Sequence, residues 1–187
     1  MRLFVALKIP PAVRENLATL LVSMRAVTKE PRWVRAENLH VTLKFLGEVA
    51  EGRVAEVPSA LGEIRSDKPV ALEFRGLGFF PNERHPRVFW AGMEGAPNLK
   101  SLAEDIEGVV EKLGIPPEKR EFSPHLTLAR FERPHLPEAL RKLIAENQQR
   151  DFGSLRTNDF HLIQSKLKPT GAEYTTLATF QFAPKVE

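Results

Sequence analysis

Two short segments combine a histidine and a threonine at the same spacing. His40-Val41-Thr42 is followed 85 residues later by His125-Leu126-Thr127. Both segments lie in apolar stretches that read as strands, and side chains at positions i and i+2 of a strand point to the same face. Each histidine should therefore project together with its threonine. The pattern predicts one site that contains two imidazoles and two hydroxyl groups.

Such a set of groups suits in-line displacement at phosphorus. One imidazole takes a proton from the attacking water, and the other protonates the departing ribose oxygen on the opposite side of the phosphorus. The hydroxyls of Thr42 and Thr127 can donate hydrogen bonds to the non-bridging oxygens. This chemistry needs no metal. The residues alone leave open which histidine is the acid, because the two positions are equivalent.

Two different interpretations of the histidines are weaker. A single histidine beside a threonine in a strand is usually a satisfied core residue, but a duplicated pair is not explained that way. Zinc would need further ligands, and the sequence has neither a third ligand at motif spacing nor a His-Glu-x-x-His segment. His85, His135 and His161 lie outside the two motifs, and we assign them no catalytic role.

Three residues near the motifs are candidates for substrate binding. Phe45 and Arg130 each follow their histidine by five positions. Arg130 could bind phosphate through paired donors, or it could be a surface arginine in a salt bridge. For the first role the strand must bulge, turn or end before Arg130 to bring it to the histidine's face. Phe45 could stack on a base or be a core residue. By strict alternation Lys44 shares the face of His40 and Thr42 and would add positive potential there; it could equally be an exposed edge lysine.

Composition limits the classes of protein. The 187 residues are 42% hydrophobic and 27% charged, carry a net charge of +3 and include no cysteine. Disulfides, thiolate catalysis and cysteine-bound metals are thereby excluded. No apolar run is long enough to span a bilayer, and the small positive excess favours a polyanion such as RNA. We expect a cytoplasmic monomer with no membrane association.

The elements that must position the two pairs also repeat. Phe4-Val5-Ala6 precedes Phe89-Trp90-Ala91 by the same 85 residues. Apolar periodicity and proline positions predict strand, helix, strand, helix, strand in each half. We therefore predict an α+β fold with two pseudo-symmetric β-α-β-α-β lobes, whose mainly antiparallel sheets face a central cleft. A single bilobal domain would span residues 1–187, with repeats at approximately 1–85 and 86–187. The predicted strands are 3–7, 39–46, 70–80, 88–93, 126–131, 155–167 and an extra one at 174–182, with helices after Pro10-Pro11, around 54–64, after Pro97 and after Pro137.

The segments 40–47 (HVTLKFLG) and 125–130 (HLTLAR) resemble the paired motifs of the 2H phosphoesterase superfamily. Within it the chain is similar to the LigT/ThpR-like RNA 2′,3′-cyclic phosphodiesterases. The likeness covers nearly the whole chain, including residues 2–6, 33–34 and 164–174. It implies a LigT-like fold and the opening of RNA 2′,3′-cyclic phosphates to 2′-phosphomonoesters without a cofactor. It also implies that His40 donates a proton to the 3′ oxygen and that His125 accepts one from water.

The resemblance leaves several functions to separate. Members of this group also join tRNA halves through a 2′-5′ linkage, so a reverse 2′-5′ RNA ligase reaction is a candidate side activity. Two further candidates are a 2H phosphodiesterase acting on a small cyclic phosphate or a 2′-5′ oligonucleotide, and a non-catalytic RNA-binding module. The intact pair of histidines argues against the last of these.

Overall fold

The computed structural model describes residues 1–66, 68–95 and 97–182. Two short 3₁₀ turns, Ala36–Asn38 and Glu51–Arg53, accompany the regular elements. In chain order these elements are β1 (Arg2–Lys8), α1 (Pro11–Val27), β2 (Arg32–Trp33), β3 (His40–Glu48), α2 (Glu56–Leu61), β4 (Val70–Phe80), β5 (Val88–Glu94), α3 (Pro97–Glu111), β6 (His125–Arg130), α4 (Glu138–Glu146), β7 (Asp151–Thr157), β8 (Asp159–Lys168) and β9 (Gly171–Gln181).

Helices α1, α3 and α4 begin at or just after the prolines that predict them. Pro11 occupies the first position of α1, after Pro10 in an extended conformation, and a proline at this position loses no intrahelical hydrogen bond. The predicted α3 ends before Gly114, whose φ of +79° favours glycine. The apolar stripes of both helices are buried in one core shared with the sheets, and they comprise Val13, Leu17, Leu20, Leu21, Met24, Leu99, Leu102, Ile106 and Val110. In the part of the chain that the structure describes, no helix has the length and apolar character to cross a membrane.

The strands form two antiparallel sheets, as the sequence predicts. Their orders are β3-β1-β8-β9 and β2-β6-β5-β4-β7. The last strand of the first repeat, β4, lies in the second sheet between β5 and β7, whereas β8 of the second repeat lies in the first sheet between β1 and β9. The sequence repeats and the two sheets therefore do not coincide, because the repeats exchange strands.

The single strand predicted at 155–167 is wrong. It is two strands, β7 and β8, that belong to different sheets. At the break, the hydroxyl of Thr157 donates to the carboxylate of Asp159 at 2.8 Å and accepts from the backbone N–H of Asp159 at 3.2 Å. This local hydrogen bonding turns the chain from one sheet into the other, and the continuous β-forming composition around it conceals the break.

The alignment of Phe4–Ala6 with Phe89–Ala91 is displaced by one residue. Phe4 and Ala6 form a small apolar cluster apart from the main core, whereas Phe89 and Ala91 are buried within the main core. In the ladders, Ala6 pairs with Thr42 and Trp90 pairs with Thr127. Ala6 therefore corresponds to Trp90, although the two histidine motifs correspond as predicted.

Candidate active site

His40 opens β3 and is held between aromatic side chains. Its ring stacks on Phe4 with the centroids 4.7 Å apart and meets the edge of Tyr174 at 5.2 Å. Its Nδ1 lies 2.6 Å from the carbonyl oxygen of Asn38. Because a carbonyl can only accept, Nδ1 carries the proton and Nε2 of the neutral ring is free to accept one.

His125 has the same arrangement at the start of β6. Its Nδ1 lies 2.7 Å from the carbonyl oxygen of Ser123, again two residues earlier in the chain. The ring of Phe80 meets it edge-on, with the centroids 4.9 Å apart. Both motifs thus fix the same tautomer through the carbonyl two residues earlier, and each presents an unprotonated Nε2.

Both histidines titrate below their usual range. Burial lowers the pKa of His40 to about 4, although the hydrogen bond to Asn38 opposes this shift. Burial also lowers the pKa of His125; its bond to Ser123 opposes the shift, and the guanidinium of Arg130 adds to it. In the free protein both imidazoles are therefore neutral near pH 7. A proton donor must gain its charge when an anion binds.

A bulge follows the threonine in each motif strand. Between β1 and β3 the pairing passes from Thr42 to Lys44 and skips Leu43. Between β5 and β6 it passes from Thr127 to Ala129 and skips the equivalent leucine. Each bulge reverses the alternation of faces, so that the fifth residue after each histidine is exposed.

The bulges decide where the three candidate binding residues lie. Phe45 is 49% exposed rather than part of the core. Arg130 is exposed at the end of β6, after the kind of bulge that its sequence position requires. The same reversal turns Lys44 the other way: it is 3% exposed, and its Nζ donates to Glu107 Oε1 at 2.9 Å. The expectation that Lys44 shares the face of the histidine and threonine is therefore wrong.

The two motif strands lie next to each other although they belong to different sheets. Cα atoms of β3 and β6 approach within 8 Å. Burial raises the pKa of Tyr174, and the nearby guanidiniums of Arg130 and Arg2 oppose this shift. Arg130 therefore acts both on His125 and on the tyrosine that contacts His40. Thr42 and Thr127, the threonines of the two motifs, are both half-buried.

Four aromatic residues next to the motifs were not assigned to the site by sequence reasoning. Phe4 and Tyr174 contact His40, Phe80 contacts His125, and Trp90 pairs with Thr127 in the ladder. The Nε1 of Trp90 is buried and has no hydrogen-bond partner within the described residues. These residues come from strands distant in sequence, so their proximity depends on sheet order rather than on motif spacing. The one tyrosine of the chain was the available signal.

His161 is buried in the first sheet and lies outside the reacting set. Its Nδ1 is 3.0 Å from Thr179 Oγ1, and its Nε2 is 3.3 Å from Asp159 Oδ1. These partners satisfy both ring nitrogens, as expected of a structural histidine. Across the described residues, no group of three or more histidine, aspartate or glutamate side chains is arranged to hold a metal ion.

Comparison with known proteins identifies the family to which the chain belongs. The family model described as LigT-like phosphoesterase matches residues 7–90 and 93–174. The two consecutive segments reproduce the division into repeats. The chain therefore belongs to the LigT-like phosphoesterase family.

Several curated relatives carry a more specific name. Proteins named RNA 2′,3′-cyclic phosphodiesterase from Archaeoglobus fulgidus and Methanothermobacter thermautotrophicus are 37% and 33% identical, covering 97% and 96% of this chain and 100% and 98% of theirs. A crystal structure from Thermus thermophilus superposes with a TM-score of 0.81 at 34% identity and covers both chains fully. The structure of E. coli LigT complexed with 3′-AMP superposes with a TM-score of 0.74 at 29% identity over 97% of each chain. The predicted LigT-like fold is thus confirmed.

Proposed function

We propose that this protein hydrolyses RNA 2′,3′-cyclic phosphates to 2′-phosphomonoesters, with His40 and His125 as its acid–base pair. The observation that carries the proposal is the matched orientation of two imidazoles on neighbouring strands. Each ring has its Nδ1 tied to the carbonyl two residues earlier, at 2.6 and 2.7 Å. The name shared by the full-length relatives supports the substrate class.

The reaction needs one proton accepted and one donated. Water attacks phosphorus while the neutral His125 takes its proton through Nε2, and the bond from phosphorus to the 3′ oxygen breaks as the protonated His40 gives that oxygen a proton. This direction follows the family resemblance. Burial holds the pKa of His40 at about 4 in the free protein, so the anionic phosphate must raise it for His40 to arrive charged.

The remaining groups hold the substrate. The hydroxyls of Thr42 and Thr127 donate to the non-bridging oxygens, whose charge must be stabilised as the geometry at phosphorus changes. Arg130 adds a charged donor to the phosphate, and the exposed ring of Phe45 offers a face to a base. Lys44 has no part in binding, because its ammonium group is buried against Glu107.

The competing functions differ in the bond that is cut. Complexes of E. coli LigT with 3′-AMP and with phosphate show that this relative accepts a nucleotide and a phosphate ion. A small cyclic phosphate or a 2′-5′ linked oligonucleotide could use the same acid–base pair, and a 2′-5′ RNA ligase reaction would run it in reverse. A non-catalytic RNA-binding role would leave the matched tautomers without a purpose. Both motif strands come from one chain, so the proposed site needs no second copy; the cytoplasmic location and the monomeric state stay predictions.

The test is product analysis in the presence of EDTA. A cyclic-phosphate-terminated oligonucleotide, 2′,3′-cyclic AMP and a 2′-5′ linked dinucleotide would be compared as substrates. We expect the first to be opened to a 2′-phosphate, with losses of about 10²–10⁴-fold in His40→Ala and His125→Ala. His135→Ala, at an exposed position, is the matched control. Near-normal turnover in either motif variant would refute the acid–base assignment.

A further inference from the structure

The segments that lead into the two histidines are fixed by different means. The segment before His40 is held by backbone pairing. Its strand β2 lies against β6, with Trp33 opposite Ala129, and the N–H of Val34 donates to the carbonyl of Leu128 at 2.9 Å. The chain that enters the first histidine is therefore docked on the strand that carries the second.

The segment before His125 has no such pairing. Residues 116–124 form neither helix nor strand. The Nζ of Lys44 donates to the carbonyl of Pro116 at 3.0 Å and to Glu107 Oε1 at 2.9 Å. The same carboxylate oxygen accepts the backbone N–H of Glu118 at 2.5 Å. The chain that enters the second histidine is thus docked, through a side chain, on the strand that carries the first.

The two attachments occupy equivalent positions. Lys44 and Ala129 follow the bulges of β3 and β6, and they are 85 residues apart like the histidines themselves. At Ala129 the backbone of β6 holds the segment before His40. At Lys44 the buried ammonium group holds the segment before His125. The side chain of Lys44 is 2% exposed, whereas Lys100, which pairs with Glu121 in the same segment, is 53% exposed. Solvent weakens the second pair far more than the first.

We propose that Lys44 is a positioning residue for His125, acting through Glu107 and the irregular segment at residues 116–118. This segment precedes Ser123, whose carbonyl fixes the tautomer of His125. The consequence for turnover rests on the proposed function, but the consequence for the His125 ring does not. Lys44 touches no reacting atom. It holds the chain segment that leads to His125, which in the proposed function does.

The first variant is Lys44→Met, which keeps an unbranched side chain, one atom shorter, and removes the ammonium group and its charge. We expect kcat/KM to fall about 10- to 100-fold, mainly through kcat, because a displaced catalytic group loses alignment with its target. Nitrogen NMR of the imidazoles should show His125 departing from a single Nδ1-protonated tautomer. His40, whose approach is held by β2, should keep its own. Lys142→Met, at an exposed position of α4, should leave both quantities unchanged.

A double variant separates positioning from stability. Lys44→Met with Glu107→Met leaves no unpaired buried charge, so its Tm should return towards the wild-type value. We expect kcat/KM to stay low and His125 to stay perturbed in this stable protein. Recovery of activity together with Tm, or an unchanged His125 ring in the double variant, would overturn the proposal. An inactive wild type would instead refute the proposed function, while the NMR comparison would still test the role of Lys44.

Discussion

The two histidines share the same contact to a backbone carbonyl but differ in their surroundings. Each ring is oriented by the carbonyl two residues earlier in the chain. His40 lies between Phe4 and Tyr174, whereas His125 lies near the charge of Arg130. Burial lowers the pKa of both histidines, and Arg130 at the end of β6 adds to the lowering at His125.

The pH dependence of kcat/KM should have its maximum on the acidic side of neutrality. The acceptor must be neutral, so the rate falls as pH drops through its pKa; the donor must be charged, so the rate falls as pH rises through its own. Burial lowers both pKa values in the free protein, which places the maximum below about pH 6.5. The kcat profile should lie at higher pH, because bound phosphate favours imidazolium. Rates from about pH 4 to about pH 9 check this, and coincident profiles would contradict it.

Acid should destabilise the protein partly through His40. The unfolded chain binds this proton near pH 6.5 and the folded protein near pH 4, so the free energy of unfolding falls as pH drops between these values. Between about pH 7 and pH 4.5, the free energy of unfolding of His40→Gln should therefore fall by about 2–3 kcal/mol less than that of the wild type. Urea unfolding at both pH values measures the difference. The exposed control His135→Gln should behave as wild type, and an equal loss in His40→Gln would disprove the effect.

At the scale of elements, the bulges determine which side-chain directions in β3 and β6 could be predicted from the sequence. Alternation placed His40 and Thr42 on one face correctly because both precede the bulge. It failed for Lys44, which comes after it. Nothing at Leu43 marks a bulge, because an apolar residue there also fits a regular strand. The role proposed for Arg130 required the strand to depart from regularity, and the bulge after Thr127 meets that condition.

Arg130 should bind phosphate because the bulge turns it outward. Arg130→Gln should lower kcat/KM about 10- to 100-fold, the loss typical of hydrogen bonds to charged groups. Because the guanidinium lowers the pKa of His125, the limb of the pH profile that belongs to this histidine should also move to higher pH. Steady-state kinetics across pH measure both effects. Arg133→Gln, just beyond β6 and exposed, is the control, and equal effects in the two variants would count against a specific phosphate contact.

At the scale of the molecule, the repeats were visible in the sequence and their strand exchange was not. The recurring order of strands and helices follows from apolar periodicity. Which sheet receives β4 and β8 depends on contacts between residues far apart in the chain. The division of residues 155–167 into two strands belongs to the same exchange, because β7 and β8 leave Asn158 for different sheets.

Neither half of the chain should fold alone. Residues 1–85 would lack β5 and β7 around β4, and residues 86–187 would lack β1 beside β8. We expect each fragment to give an unfolded amide NMR spectrum, an equimolar mixture to regain dispersed signals, and the intact chain to unfold in one transition. A separately folded fragment, or two transitions in the intact chain, would show that the halves are independent.

The exchange of β4 and β8 gives the molecule the design of a swapped homodimer joined into one polypeptide. Two identical copies related by a twofold axis would each lend a strand to the other and each contribute one imidazole to a shared phosphate. In such an assembly, donor and acceptor would be indistinguishable. Joining the copies lets them diverge, and they have done so at Phe45 against Arg130 and at Lys44 against Ala129. In the proposed function, the covalent link would allow two equivalent imidazoles to take the different roles of donor and acceptor.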